Sequence, residues 1–142
     1  MPLVRVDALR ADGERLDALG RAVHDALVQT LGFPPDDRFQ ILASHDGASG
    51  TLRYDNYLGD RDDDLVFVAI TLRSGRTTAQ KQALYRRIAE LAHEYAGTEP
   101  RNVFVTLTEN ESSDWSLGDG VAQYVGSGRN TPERGNGTSS CR

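Results

Sequence analysis

The sequence predicts an α/β (α+β) domain made of two β-α-β repeats: a four-stranded sheet with two helices on one face. Three observations carry that expectation. The apolar pattern passes from period two to a helical period and back, twice along the chain. Each helical stretch is stopped by a glycine with a proline just beyond it. A shift of 65 residues also lays one half on the other: Leu19 falls on Leu84, Val23 on Ile88, Ala26 on Leu91, Gly32 on Gly97, Pro35 on Pro100, Phe39 on Phe104 and Leu42 on Leu107. Helix faces, helix stops and following strands all stay in register.

The elements follow in order. Leu3-Val4-Arg5-Val6 alternates and reads as the first strand. Over residues 14–31, Leu16, Leu19, Val23, Leu27 and Leu31 recur at spacings of three and four, one face of a helix. Gly32 suits its C-cap, and Pro34-Pro35 forbids continuation. Arg38 to Ser44 reads as a second strand. Residues 45–64 are rich in Gly, Asp, Ser and Asn and read as a loop, with a short strand expected at Thr51-Leu52-Arg53-Tyr54. Leu65 to Leu72 is nearly all apolar and β-prone, the pattern of a strand buried on both faces. Residues 77–96 give a second helix, with Leu84, Ile88, Leu91 and Tyr95 as its stripe and Thr77 or Thr78 to cap it. Gly97 ends it, Pro100 follows, and Asn102 to Thr108 is the fourth strand.

Two helices cover only one face of such a sheet, so association of copies is the expected remedy for the other. After the fourth strand come Trp115 among small polar residues and a short hairpin expected through Val121-Ala122-Gln123-Tyr124. Residues 1–125 are thus expected to form the domain. Residues 126–142, almost free of apolar side chains, are expected to be a disordered tail.

The chain's 142 residues suit one domain better than two. A net charge of −5 with no basic face argues against nucleic-acid binding. No apolar run approaches the roughly 20 residues of a membrane helix, and no signal peptide is evident, so a cytoplasmic protein without a membrane partner is expected. The single cysteine, Cys141, has no partner for a disulfide and no companions for a metal.

The familiar catalytic motifs are absent: there is no phosphate-binding glycine loop, no G-x-S-x-G and no H-E-x-x-H. Pro2 offers another device. Removal of Met1 would leave a free secondary amine at the start of a strand. An α-amino group titrates near pH 8; burial lowers that value and a carboxylate raises it, so it can act as acid or base near neutrality. It can also form an iminium with a carbonyl. Arg73-Ser74-Gly75-Arg76 follows the third strand, where open α/β sheets gather ligands, and two guanidinium groups there suit a carboxylate. Asp36 and Asp37 precede the second strand, and the shift of 65 sets Asn102 on Asp37, so only one unit carries that carboxylate. His24 lies one residue off the helix stripe and reads on its own as a partly exposed structural histidine.

Taken together, Pro2, the two β-α-β units, Pro34-Pro35-Asp36-Asp37-Arg38-Phe39-Gln40, Arg73-Ser74-Gly75-Arg76-Thr77 and Asp114-Trp115-Ser116 resemble the tautomerase superfamily, and within it most the malonate semialdehyde decarboxylase group. The resemblance spans about residues 2–124. It implies a homotrimer, no metal or organic cofactor, and a small oxo acid as substrate. It implies that Pro2 is catalytic with Asp37, Arg73 and Arg76, and that Trp115, with Leu117 and His24, lines the pocket. The two-residue gap between the arginines is instead similar to the cis-3-chloroacrylic acid dehalogenase group, which also has a histidine in its first helix near His24. A decarboxylase is therefore the leading expectation. The alternatives are a keto–enol tautomerase of 2-oxo acids of phenylpyruvate type, a hydratase or dehalogenase of 3-substituted acrylates, and a non-enzymatic trimeric interaction protein.

Overall fold

Gly32, Gly97 and Thr77 bound the helices as the sequence predicts, and Asp12 adds an N-cap that the periodicity does not mark. In the computed structural model, which describes residues 1–125, α1 runs Gly13–Leu31 and α2 runs Thr78–Ala96. Asp12 caps α1 by accepting from the Arg15 N–H, and Thr77 caps α2 in a capping box with Gln80. Gly32 and Gly97 both adopt the left-handed conformation that closes a helix without a Cβ penalty, at φ +74° and +69°. The 65-residue repeat is therefore visible in matching caps.

The strands are β1 (Leu3–Leu9), β2 (Phe39–His45), β3 (Val66–Arg73) and β4 (Val103–Asn110). They form one four-stranded mixed sheet in the order β2-β1-β3-β4. Within each unit the strands are parallel, as a helical crossover requires. The units meet through an antiparallel β1–β3 seam in which Val6 faces Val68 and Val4 faces Ile70. The core lies between sheet and helices: Val4, Val6, Val68, Ile70 and Leu72 meet Leu19, Val23 and Leu27 of α1 and Leu84, Ile88 and Leu91 of α2.

Three expectations about local structure are corrected. Residues 51–54 form no strand; Arg61 holds the loop that follows them by donating to the carbonyls of Asp55 and Tyr57. Residues 121–124 form turns rather than a hairpin, closed by the Gln123 side chain against Leu117 N and Gly118 O. β3 is not buried on both faces. Val66, Val68, Ile70 and Leu72 are buried, whereas Phe67, Ala69 and Thr71 alternate with them on the helix-free face. That face also exposes Leu3, Phe39, Ile41 and Phe104 at 42–49%. The expected tail and Cys141 lie outside the described residues. Among the described residues no helix is long and apolar enough to cross a membrane.

Candidate active site

The antiparallel seam decides where the functional side chains meet. Leu3 pairs with both Phe39 and Thr71, and Thr71 with Thr108, so β1 and β2 begin at the sheet end where β3 and β4 finish. Just beyond that row lie the N-terminal residues, Asp37 before β2, Arg73 closing β3 and Asn110 closing β4. Four separate stretches of sequence thus converge at one edge.

The N-terminus is buried there. Met1 is 5% exposed, and its amine lies 3.5 Å from Asp37 Oδ2. Burial pushes this amine down from its usual 8.0 to about 6, with the positive charges of Arg73 and Arg76 acting in the same direction and Asp37 opposing both. Pro2 is buried directly behind it. The other Asp37 oxygen, Oδ1, is buried with no hydrogen-bond partner among the described residues.

The arginines are fixed by a tight turn after β3. Ser74 N–H donates to Asn110 O at 2.7 Å, and Gly75 takes φ +123°, a conformation that favours glycine. Arg76 donates from Nη1 back to Arg73 O at 3.0 Å and stacks 4.8 Å above the Phe33 ring. Arg73 donates to Ser112 Oγ at 3.2 Å and lies 4.4 Å above the Tyr124 ring. Burial lowers both guanidinium pKa values, yet a guanidinium stays charged at any working pH. Thr77 follows at once as the α2 N-cap, so the positive end of a helix adds to the two cations. A cavity of about 400 Å³ opens here, lined by Leu31, Arg73 to Arg76, Gln80 and Asn110 to Ser112. Its cations and helix terminus suit a carboxylate.

The cavity lining includes neither the N-terminal residues nor Asp37, and none of the other residues expected from the sequence is part of it. Trp115 donates from Nε1 to Asn110 Oδ1 at 2.7 Å, which ties it to the cavity wall. Leu117 is half-exposed, and its N–H is held by Gln123. His24 is buried rather than partly exposed, and its ring meets Pro35 O at 2.9 Å instead of lining the cavity. Sequence reasoning did not single out Gln80, Asn110, Ser112 or Phe33. Asn110 and Ser112 had one readable signal, their place at and just beyond the end of the fourth strand. Among the described residues no group of three His, Cys, Asp or Glu side chains is placed to hold a metal ion.

The opposite sheet end shows what the second unit does with the same scaffold. There the chain runs on into β3 instead of beginning. Asn102, the counterpart of Asp37, accepts from Asp62 N–H and donates to Asp62 Oδ1, at 3.0 and 2.9 Å. One end binds its incoming chain with a neutral amide; the other presents an amine, a carboxylate and two arginines.

Comparisons with known proteins bear on both fold and site. Two family models, each described as tautomerase enzyme, match residues 37–118 and 2–61. The probable tautomerase YusQ of Bacillus subtilis (strain 168) is 34% identical over 128 residues, covering 88% of this chain and 99% of that protein. The crystal structure of FG41 malonate semialdehyde decarboxylase inhibited by 3-bromopropiolate is similar at 40% identity and a TM-score of 0.78, over 87% of this chain and 94% of that one. A second malonate semialdehyde decarboxylase, studied for its decarboxylase and hydratase activities, gives 29% identity and a TM-score of 0.78, over 86% and 95% of the two chains.

Proposed function

This chain belongs to the tautomerase family, and on that premise we propose that it is a cofactor-independent decarboxylase of a small 3-oxo acid that uses the amine of Pro2 once Met1 is removed. The observation that carries the reading is the convergence of the buried Met1 amine, Asp37 at 3.5 Å from it, buried Pro2 next along the chain, and two arginines at and just after the end of β3. The similarity to malonate semialdehyde decarboxylases supports the substrate class.

In this reading Arg73 and Arg76 grip the substrate carboxylate and turn it out of the plane of the carbonyl. The protonated Pro2 amine donates to the carbonyl oxygen. The bond between the carboxylate carbon and its neighbour then breaks, and its electron pair flows toward the carbonyl as carbon dioxide leaves. The resulting enol takes a proton at carbon and returns its hydroxyl proton to the Pro2 amine, which gives the aldehyde and restores the charged amine. Asp37 favours the charged amine throughout. Substrate itself assists, because a bound carboxylate offsets the arginine charges that depress the amine. Trp115 supports the cavity wall through its bond to Asn110.

One observation favours a second reading. The site holds the Met1 amine down at about 6, and a Pro2 amine meeting the same burial and arginine charges would be a neutral base near pH 7. Such a base would tautomerise a 2-oxo acid by moving a proton between carbon and oxygen, in line with the name of the Bacillus subtilis relative. Three copies joined through the apolar sheet face would form the working particle in either case.

Intact mass spectrometry of protein from the native host reads the terminal residue. Kinetics with malonate semialdehyde and with phenylenolpyruvate, for wild type and Pro2→Ala, read the chemistry. The expected result is a proline terminus, turnover of the 3-oxo acid, and a loss on the order of 100-fold or more in the variant. A fully active protein that retains Met1, or undiminished activity in Pro2→Ala, overturns the reading.

A further inference from the structure

We propose that His24 and Gln40 are positioning residues that clamp the Asp37 segment onto α1 and so hold its carboxylate at the terminal amine; this rests on the reading that Asp37 serves that amine. His24 is 8% exposed, and its Nε2 lies 2.9 Å from Pro35 O. A carbonyl only accepts, so Nε2 carries the proton and donates. Gln40 donates from Nε2 to Gly20 O at 2.8 Å. Gly20 and His24 stand one turn apart on one face of α1. Their partners bracket Asp37, Pro35 two residues before it and Gln40 three residues after. Between them the Asp37 N–H closes a turn onto Pro34 O at 3.0 Å.

Gly20 is part of the device. A Cβ there would lie 2.7 Å from Gln40 Oε1 and 3.2 Å from a Leu42 methyl. A Cβ at this position would press on the Gln40 amide that bonds Gly20 O, so glycine leaves room for that bond.

The second repeat separates this role from the needs of the fold. The same 65-residue shift sets Tyr85 on Gly20, Ala89 on His24, Val105 on Gln40 and Asn102 on Asp37. That unit builds the same helix, glycine cap and parallel strand with none of the clamp. The clamp and the carboxylate occur together, in one unit only. The carboxylate also needs holding. With Oδ1 buried and unpartnered among the described residues, its local alternative is to turn toward water.

The test is a nitrogen-15 NMR titration of the terminal amine, which faces Asp37, Arg73 and Arg76. It is run with kinetics and thermal melts on wild type, Asp37→Asn, His24→Leu, His24→Gln, Gln40→Met and Val105→Ala. Asp37→Asn is expected to lower the amine pKa. His24→Leu and Gln40→Met are expected to lower it by about half as much, with kcat/KM falling on the order of 10- to 100-fold. His24→Gln keeps an N–H at similar reach and should restore most of both. Val105→Ala should lower the melting temperature without moving the amine. Gln40→Met, nearly equal in length, tests the same clamp should His24→Leu fail to fold. If the His24 and Gln40 variants titrate as wild type while Asp37→Asn shifts, the clamp is refuted and the Asp37 reading stands. If Asp37→Asn leaves the amine unmoved, the Asp37 reading falls and the clamp with it.

Discussion

Replacing Asp37 with Asn removes one charge and keeps the side chain's size, so its effect isolates the electrostatics of the site. Asp37 Oδ2 lies 3.5 Å from the terminal nitrogen. At that separation a unit pair is worth about 5 kcal/mol at an effective dielectric of ~20 and about 1 kcal/mol at ~80. The Asp37 side chain is 15% exposed, and Arg73 draws on the same carboxylate, so the value falls between these limits. Roughly 1–3 pKa units follow for the amine, downward, because the carboxylate is what opposes burial and the two arginines. In the Met1-bearing chain the amine already sits at about 6, below its ordinary 8.0. The unfolded state therefore binds more protons than the folded one between those values, and stability rises with pH across the window. Above it both amines are neutral and the substitution acts little through this pair. Below about 6 the variant must protonate, or exclude the proton from, an amine that has lost its partner. Its deficit against wild type grows as pH falls. An NMR titration of the amine, with urea melts at pH 5 and pH 8, measures both effects. An amine that stays at the wild-type value or moves upward refutes the assignment of Asp37 as its partner. So does a stability loss larger at pH 8 than at pH 5.

Arg76→Ala has the opposite sign. It removes a charge that depresses the amine, so the amine pKa should rise by about half a unit to one unit while KM for an oxo acid rises at least roughly tenfold. Titration and steady-state kinetics check the pair, and an unchanged KM excludes Arg76 from carboxylate binding. Ile41→Asp places a charge on the apolar helix-free face, where Ile41 is 47% exposed in the single chain. Sedimentation should turn a wild-type oligomer into monomer; a variant of unchanged mass removes this face from the interface. Gly20→Ala puts a Cβ 2.7 Å from Gln40 Oε1 and displaces that side chain. The lost bond, about 1 kcal/mol, is offset by a similar gain in helix propensity, so denaturant melts should change little while the amine pKa falls as in Gln40→Met. An unmoved amine removes the Gln40 bond from the clamp. Trp115→Phe keeps the ring but loses the bond to Asn110, so it should lower stability by about 1 kcal/mol. Chemical denaturation reads that loss.

Most of the site was legible as residues and not as a place. Asp37 stood out because the second repeat carries Asn102 there, and Arg73 and Arg76 because they flank a glycine after a strongly apolar strand. The clamp left a fainter trace. A glycine in mid-helix where the other repeat has Tyr85, and Gln40 where it has Val105, mark a close approach only once the approach is known. His24 was misjudged in exposure because one residue off a helical stripe can face either solvent or a neighbouring loop. Pro35 O, which no periodicity reports, decides that. The two missed turns are of the same kind: Arg61 and Gln123 organise their loops through side chains reaching several residues along.

The sequence by itself determined the two helices, their glycine stops, the four strands and the repeat. Period, cap chemistry and helix-breaking prolines act within a few residues, so they can be read within a few residues. Only the tertiary structure decided that the two units mate antiparallel through β1 and β3. That seam depends on which strand faces bury together over more than sixty residues of separation, and either orientation would have satisfied the local signals. Its consequence is the site. A parallel seam would have set the start of β1 at the end opposite Arg73 and Arg76. The antiparallel one brings the amine, Asp37 and both arginines to one edge of the sheet.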